Sequence, residues 1–308
     1  MITKKNRNRF LKDEKTKKTI VCFLLVGQMK SLAKYCLESA LKQVSCDVAI
    51  GYINEADIHW IPKLENIRFI KIESKLILEN NEYKDFTKPD FYRIVTNKWD
   101  LLIEASNLGF DYVIYSDLDV IWFRNPTPVV EKSFIEFPSI DFLIQSFTRE
   151  SNLPCLCMGF LAMRVSARTQ KLLQECKKHH MDSLREGDML GDDEVITSYF
   201  RRMNYPSWIR ELPQSTFPTG NLYPLFMKHN KFPYMEMIQP YVFHLNFVIG
   251  IRNKEIFLWY LRVLSRLRIE GPSTRRAITI ISELLLEKFV KYSKKGVKEI
   301  RFKNSSKD

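Results

Sequence analysis

The 308-residue chain contains no apolar run of the roughly 20 residues that a membrane-spanning helix requires. Ile20 to Val26 is apolar but far too short for an anchor, and it reads as a core strand. There is no G-x-G-x-x-G and no G-x-x-x-x-G-K-[ST], which argues against the dinucleotide-binding and P-loop classes. No stretch is collagen-like, low-complexity or broadly disordered in composition. The six cysteines are scattered over apolar segments. Cys155 and Cys157 are too close for an unstrained bridge, and no second pair follows at zinc-site spacing. All six therefore read as reduced, which fits a cytosolic setting.

What is present is an ample core, with 45% apolar and 13% aromatic residues. The formal charge of +12 fits nucleic acid, an anionic membrane surface or polyanionic small molecules such as nucleotide sugars. Basic residues concentrate at the ends, Lys4 to Lys18 and Arg262 to Lys307, and the middle is nearly balanced. Nonspecific surface attraction thus belongs to the tails.

The central stretch is Asp111-Tyr-Val-Ile-Tyr-Ser-Asp-Leu-Asp-Val-Ile-Trp-Phe-Arg-Asn-Pro126. Val113, Ile114 and Tyr115 are residues of a buried strand. Asp117 and Asp119 follow, with Leu118 between them, and apolar residues resume at Val120. Carboxylates two positions apart share a strand face. They repel each other unless something positive stands between them. A hard cation such as Mg²⁺ or Mn²⁺, bridging to a diphosphate, suits that arrangement.

Residues 1–18 read as a basic arm and 19–255 as one α/β domain, with 256–308 forming C-terminal helices and a basic tail. Thr19 to Val26 predicts a strand buried on both faces of a parallel sheet. A helix capped by Ser31 and strands at Asp47 to Ile53 and Ile67 to Ile72 complete a nucleotide-binding type of opening. Val26, Gly27 and Gln28 lie at the carboxyl edge of the first strand, where open α/β sheets bind ligands. One helix is expected over Lys88 to Leu108, stopped by Gly109. Lys98 lies on its apolar face and either snorkels or reaches the acidic strand end or a phosphate.

Further strands are expected at Ile140 to Ser146, ending in Gln145, and at Cys155 to Arg164, where Gly159 implies close backbone approach. A helix over Ser166 to His179 precedes Asp192-Asp-Glu194. Those acids complement a helix dipole or do chemistry. Residues 205–242, rich in proline and aromatics, suggest a sugar-binding wall. His244 and Asn246 alternate with apolar residues and so should share a strand face. Gly250 allows close backbone approach, and Lys254 offers a point charge to a phosphate.

The ordered set resembles metal-dependent glycosyltransferases of the GT-A fold. The phrase from Lys98 through Gly109-Phe110 to Asp117-x-Asp119-Val-x-Trp-x-x-x-Pro126 is similar to the nucleotide-diphospho-sugar transferase family, the one numbered seventy-seven among glycosyltransferases. Gly159-Phe160…Arg164, Phe217-Pro-Thr-Gly220 and His244-Leu-Asn246…Gly250…Lys254 extend the likeness over roughly residues 88–260. It implies a Rossmann-like, mostly parallel sheet flanked by helices. It also implies retaining transfer of a sugar from a nucleoside diphosphate, usually UDP, with Mn²⁺ or Mg²⁺.

By that likeness Asp119 and His244 ligate the metal and Asp117 contacts the ribose side or the metal. Lys254 holds the diphosphate, with Gly250 and Lys98 on the donor side and Gln145, Gly159 and Asn246 on the sugar. There are two departures. Cys157-Met158 precede Gly159 where the family has an Asn, which removes one sugar contact. The family's Asp-Gln pair reads Asp193-Glu194, so Asp192, Asp193 and Glu194 are the catalytic candidates. A carboxylate there could stabilise an oxocarbenium-like transition state or attack it.

The implied partners are a nucleotide-sugar donor and a glycan or glycoconjugate acceptor. Contact of the basic C-terminal helices with anionic lipid is a further expectation, and nucleic acid is not. The missing anchor points to a bacterial or viral cytoplasmic enzyme. The same acids would serve a metal-dependent phosphotransferase or nuclease, or survive in a catalytically dead nucleotide-sugar-binding protein.

Overall fold

The structure is a computed structural model that describes residues 17–26, 30–73, 89–148, 154–220, 240–246, 248, 250–256 and 258. The basic arm before residue 17, Gly27 and Gln28, and the C-terminal helices beyond residue 258 lie outside the described residues. So do the expected ribose pocket around Gly27 and the lipid-facing helix.

Seven strands form one sheet in the order β3-β2-β1-β4-β7-β6-β8. They are β1 (Thr19–Leu25), β2 (Asp47–Tyr52), β3 (Ile67–Lys71), β4 (Tyr112–Ser116), β6 (Phe142–Thr148), β7 (Pro154–Arg164) and β8 (Ile209–Glu211). β1 to β4 run parallel, β7 is antiparallel to both its neighbours, and β8 pairs parallel to β6. The sheet is therefore mostly parallel. The run Thr19–Leu25 is apolar throughout because its two faces feed two cores. Ile20, Cys22 and Leu24 pack with Trp99, Leu102 and Leu173 on one side, while Val21, Phe23 and Leu25 pack with Leu37, Trp122 and Phe134 on the other. Burying each such side chain is worth about 1.5–3 kcal/mol.

The helices cover both faces. They are α1 (Lys30–Leu41), α2 (Pro89–Val95), α3 (Asn97–Ser106), α4 (Thr127–Glu136), α5 (Ala167–Glu186) and α6 (Asp192–Arg202). The single helix expected over 88–108 is broken at Thr96. The Thr96 hydroxyl donates to the Arg93 carbonyl at 2.6 Å and the Asn97 amide donates to the Ile94 carbonyl at 2.9 Å, so side chains take what the helical ladder would use. α5 outruns its expected end at His179. It continues to Gly187, whose left-handed φ of 89° provides the stop.

A second, two-stranded ribbon pairs β5 (Val120–Trp122) antiparallel with β9 (Val242–His244), placing Val120 opposite His244. This corrects the expected strand face shared by His244 and Asn246. The strand stops at His244, where the Leu245 amide turns to donate to the Asp119 carbonyl at 3.0 Å, and Asn246 sits in the turn beyond.

One irregularity shapes the site. β6 and β7 stay in register up to Ile144 opposite Leu161, and then Gln145 stands opposite Cys157. Met158, Gly159 and Phe160 bulge out of that ladder, freeing backbone groups to face the end of β4.

A carboxylate–histidine candidate metal site

β4 ends at Ser116, and the chain turns through Asp117-Leu-Asp119 into β5. The turn is pinned from both sides. The Asp117 amide donates to the Gly159 carbonyl in the bulge at 2.8 Å, and the ribbon brings His244 alongside Asp119. Leu118 faces inward and is buried. One ligand atom each from Asp117, Asp119 and His244 lie within 4.8 Å of one another. His244 Nε2 stands 3.2 Å from Asp119 Oδ1 and 3.9 Å from Asp117 Oδ2.

Two ammonium groups complete the electrostatics. Lys98, from α3, reaches Asp117 Oδ2 at 2.9 Å and Asp192 Oδ2 at 2.6 Å. Burial alone would discharge Lys98, but Asp117 and Asp192 outweigh it and raise its pKa well above the ordinary value. Lys254 donates to Asp119 Oδ2. Burial would raise the Asp119 pKa, yet the Lys254 ammonium and His244 hold it well below the usual carboxylate range. Asp119 is therefore ionised and only 8% exposed. Three carboxylates, Asp117, Asp119 and Asp192, thus face two ammonium groups and a histidine. The cluster carries an excess of negative charge that a divalent cation would offset. The oxygen and imidazole donors suit Mn²⁺ or Mg²⁺, so the residues fit the metal their pattern implies.

α6 delivers its acids differently one by one. Asp192 is buried against Lys98. Asp193 is half-buried, and its Oδ1 accepts from the bulged Met158 amide at 2.5 Å. Burial, and then the Asp192 carboxylate beside it, pushes its pKa up to about 7. Glu194 is exposed, and its Oε2 accepts from the Gly191 amide at 2.8 Å, closing the first turn of its own helix. Asp192 and Asp193 face the site, whereas Glu194 is occupied as a cap.

Gly159 has a steric reason. A Cβ there would overlap the His244 imidazole, with even Nε2 only 2.6 Å away. Gln145 is fully buried, and its amide donates to the Phe217 and Pro218 carbonyls at 3.1 and 3.2 Å. It secures the Phe217-Pro-Thr-Gly220 turn rather than reaching toward a sugar. That turn is stitched to the histidine segment, because the His244 amide donates to the Pro218 carbonyl and the Gly220 amide to Asn246 Oδ1. Gly250 takes a left-handed φ of 84° and starts the helical residues 251–256 that carry Lys254. Val26 is half-buried just beyond β1.

Two residues of the site were not singled out from sequence. Tyr115 donates its hydroxyl to Asp117 Oδ1 at 2.6 Å, and the signal was its position two residues before Asp117 on the same strand face. Cys157 places its sulfur 3.3 Å from His244 Nδ1, and its signal was the i, i+2 relation to Gly159.

Comparison with known proteins bears on this geometry. No curated protein sequence matches the chain. Among solved structures, galactosyltransferase LgtC in complex with donor and acceptor sugar analogs superposes with a TM-score of 0.50 at 11% identity, over 73% of this chain and 86% of that one. Mouse xyloside xylosyltransferase 1, in its apo form, gives a TM-score of 0.46 at 14% identity, over 75% and 97%. The LgtC likeness shows the fold, which is GT-A as expected. The model of the nucleotide-diphospho-sugar transferase family matches residues 63–258, close to two thirds of the chain and the whole Asp-x-Asp to Lys254 span. The chain therefore belongs to the nucleotide-diphospho-sugar transferase family and is a glycosyltransferase.

Proposed function

We propose that the protein is a metal-dependent, retaining glycosyltransferase that moves a sugar from a nucleoside diphosphate, with UDP the first choice, to a hydroxyl of a glycan or glycoconjugate. The observation that carries this reading is the convergence of Asp117, Asp119 and His244, with Lys254 beside them, at the carboxyl end of β4. Ligands bind at that end of open α/β sheets.

In the reaction, the bond between the anomeric carbon and the diphosphate breaks and a bond to the acceptor oxygen forms. Asp117, Asp119 and His244 would hold the divalent cation, which supplies Lewis-acid stabilisation of the leaving diphosphate. Lys254 adds a second positive charge to the same leaving group, moving from Asp119 to a phosphate oxygen. Lys98 stays buried. It neutralises Asp192 and Asp117 on the inner side, so that the face of the cluster left for the donor is defined by Asp119, His244 and Lys254.

Asp193 is the carboxylate we place beside the anomeric carbon. Its grip on Met158 fixes its direction, and with a pKa near neutrality it carries a negative charge in part of the population and a proton in the rest. Retention follows from attack by such a carboxylate or from same-face return within an ion pair. Asn246, bound to the Gly220 amide through its oxygen, is the remaining sugar-side candidate.

The test is a thermal-shift screen of UDP-, GDP- and CDP-sugars with and without Mn²⁺, followed by NMR of the product anomer. The reading predicts stabilisation only when a nucleotide sugar and the metal are both present, and a product with the donor's anomeric configuration. Full transfer in EDTA, or an inverted anomer, would refute the metal or the retaining element respectively.

A further inference from the structure

The His244 imidazole is fixed on three sides. Its Nε2 faces Asp119 and Asp117, one face lies over Gly159 with no room for a methyl group, and Nδ1 faces Cys157 Sγ at 3.3 Å. Cys157 is completely buried, and its sulfur also accepts from the Asn246 amide nitrogen at 3.4 Å. Burial, followed by the charge of Asp193, keeps its thiol pKa well above the ordinary value, so the sulfur is a neutral thiol. A histidine that ligates a metal through one nitrogen generally donates the other ring N–H to a fixed acceptor, which sets its tautomer and orientation.

From these contacts we infer that Cys157 is the positioning residue for His244, accepting the Nδ1 hydrogen so that Nε2 is presented bare toward Asp117 and Asp119. Asn246 supports it by holding the sulfur in place from the turn beyond β9. The residue that replaces a sugar-contacting amide in this chain thus serves the metal ligand. The donor's hydroxyl at that point loses a hydrogen-bonding partner. The inference rests on the proposed metal site.

Two measurements on the full-length protein test it without using activity. Mn²⁺ affinity would be followed by EPR titration with Mn²⁺ alone for wild type, Cys157→Val, Cys157→Ser and Asp119→Asn. Long-range ¹H–¹⁵N NMR of the Mg²⁺-loaded wild type would report the His244 tautomer. Cys157→Val should weaken Mn²⁺ binding by about 10–100-fold, with little change in the metal-free melting temperature. Cys157→Ser, which keeps an acceptor, should stay within about threefold of wild type, and the spectrum should show hydrogen on Nδ1. Wild-type affinity in Cys157→Val, or hydrogen on Nε2 in the Mg²⁺ complex, would overturn the role of Cys157 alone. If wild type and Asp119→Asn both fail to bind Mn²⁺, the metal site itself falls and the inference with it. Should Cys157→Val not fold, the serine variant and the wild-type spectrum still decide.

Discussion

Asp117 and Asp119 stand two positions apart, yet they belong to two differently built corners. The inner corner joins α3, β4 and α6, where the Lys98 ammonium is shared between Asp117 and Asp192 and Tyr115 donates to Asp117. The outer corner joins the β4–β5 turn, β9 and the helical residues 251–256, where Lys254 and His244 converge on Asp119. In the inner corner one cation serves two buried acids, so its charges are locked into the fold. In the outer corner a single acid has one ammonium and one imidazole, and a diphosphate can draw Lys254 away without leaving a buried acid alone once a metal is bound. The difference separates a structural ion cluster from a working one, although both share one short turn.

Variants on either side should break the molecule in different ways. Asp119→Ala removes the centre of the outer corner. Sugar transfer should fall by more than about 100-fold, since losing even an outer partner of a metal ligand costs about 10–100-fold. The fold should survive, which steady-state rates together with far-UV circular dichroism would check. Lys98→Met should act the other way round. It leaves Asp117 and Asp192 buried without their cation, and breaking a buried pair costs about 3–5 kcal/mol. The urea midpoint should drop accordingly, with partial recovery in Lys98→Met/Asp192→Asn. A double variant no more stable than the single one would contradict the shared-cation account.

Gly159→Ala lies between the corners. Its methyl group displaces the His244 ring, so stability should fall by about 1–3 kcal/mol, and Mn²⁺ binding should weaken while the Lys98 cluster stays intact. The smallest effect belongs to Asp193. Its pKa rises from 3.8 to about 7 on folding. Its contribution to stability is therefore fully present below the ordinary carboxylate value and is lost as the pH rises through neutrality. Asp193→Asn, which keeps an acceptor for Met158, should melt like wild type near pH 4 and higher than wild type at pH 8, by about 2–4 °C. An equal difference at both pH values would show that the raised pKa is not at work.

Much of this was legible in the chain because it is carried by local pattern. The apolar run Thr19–Leu25 predicted a strand with two buried faces, and alternate residues do enter separate cores. Asp117-x-Asp119 at a strand end and His244 on a later strand pointed to one cation, and their ligand atoms do gather. What periodicity could not show depends on packing between distant elements. Lys98 was a choice between snorkelling and reaching the acids until α6 placed Asp192 against it. Glu194 looked equivalent to its neighbours because three acids in sequence carry no sign of which one folds back on its own helix. The break at Thr96 comes from hydroxyl and amide competition that apolar spacing does not register. The β7 bulge, which frees Met158 for Asp193 and Gly159 for Asp117, follows from a register change between strands and leaves no mark in either strand's composition.

The central claim is that the outer corner, through Asp119 and His244, holds a divalent cation for a nucleoside diphosphate. An EPR titration of Mn²⁺ with UDP tests it most directly, on wild type, Asp119→Asn, His244→Ala and, as a control in an acidic pair outside the site, Asp141→Asn. The account predicts one Mn²⁺ per chain in wild type and in Asp141→Asn, tightened by UDP, and loss of that binding in Asp119→Asn and His244→Ala. Undiminished Mn²⁺ binding in those last two variants would contradict it.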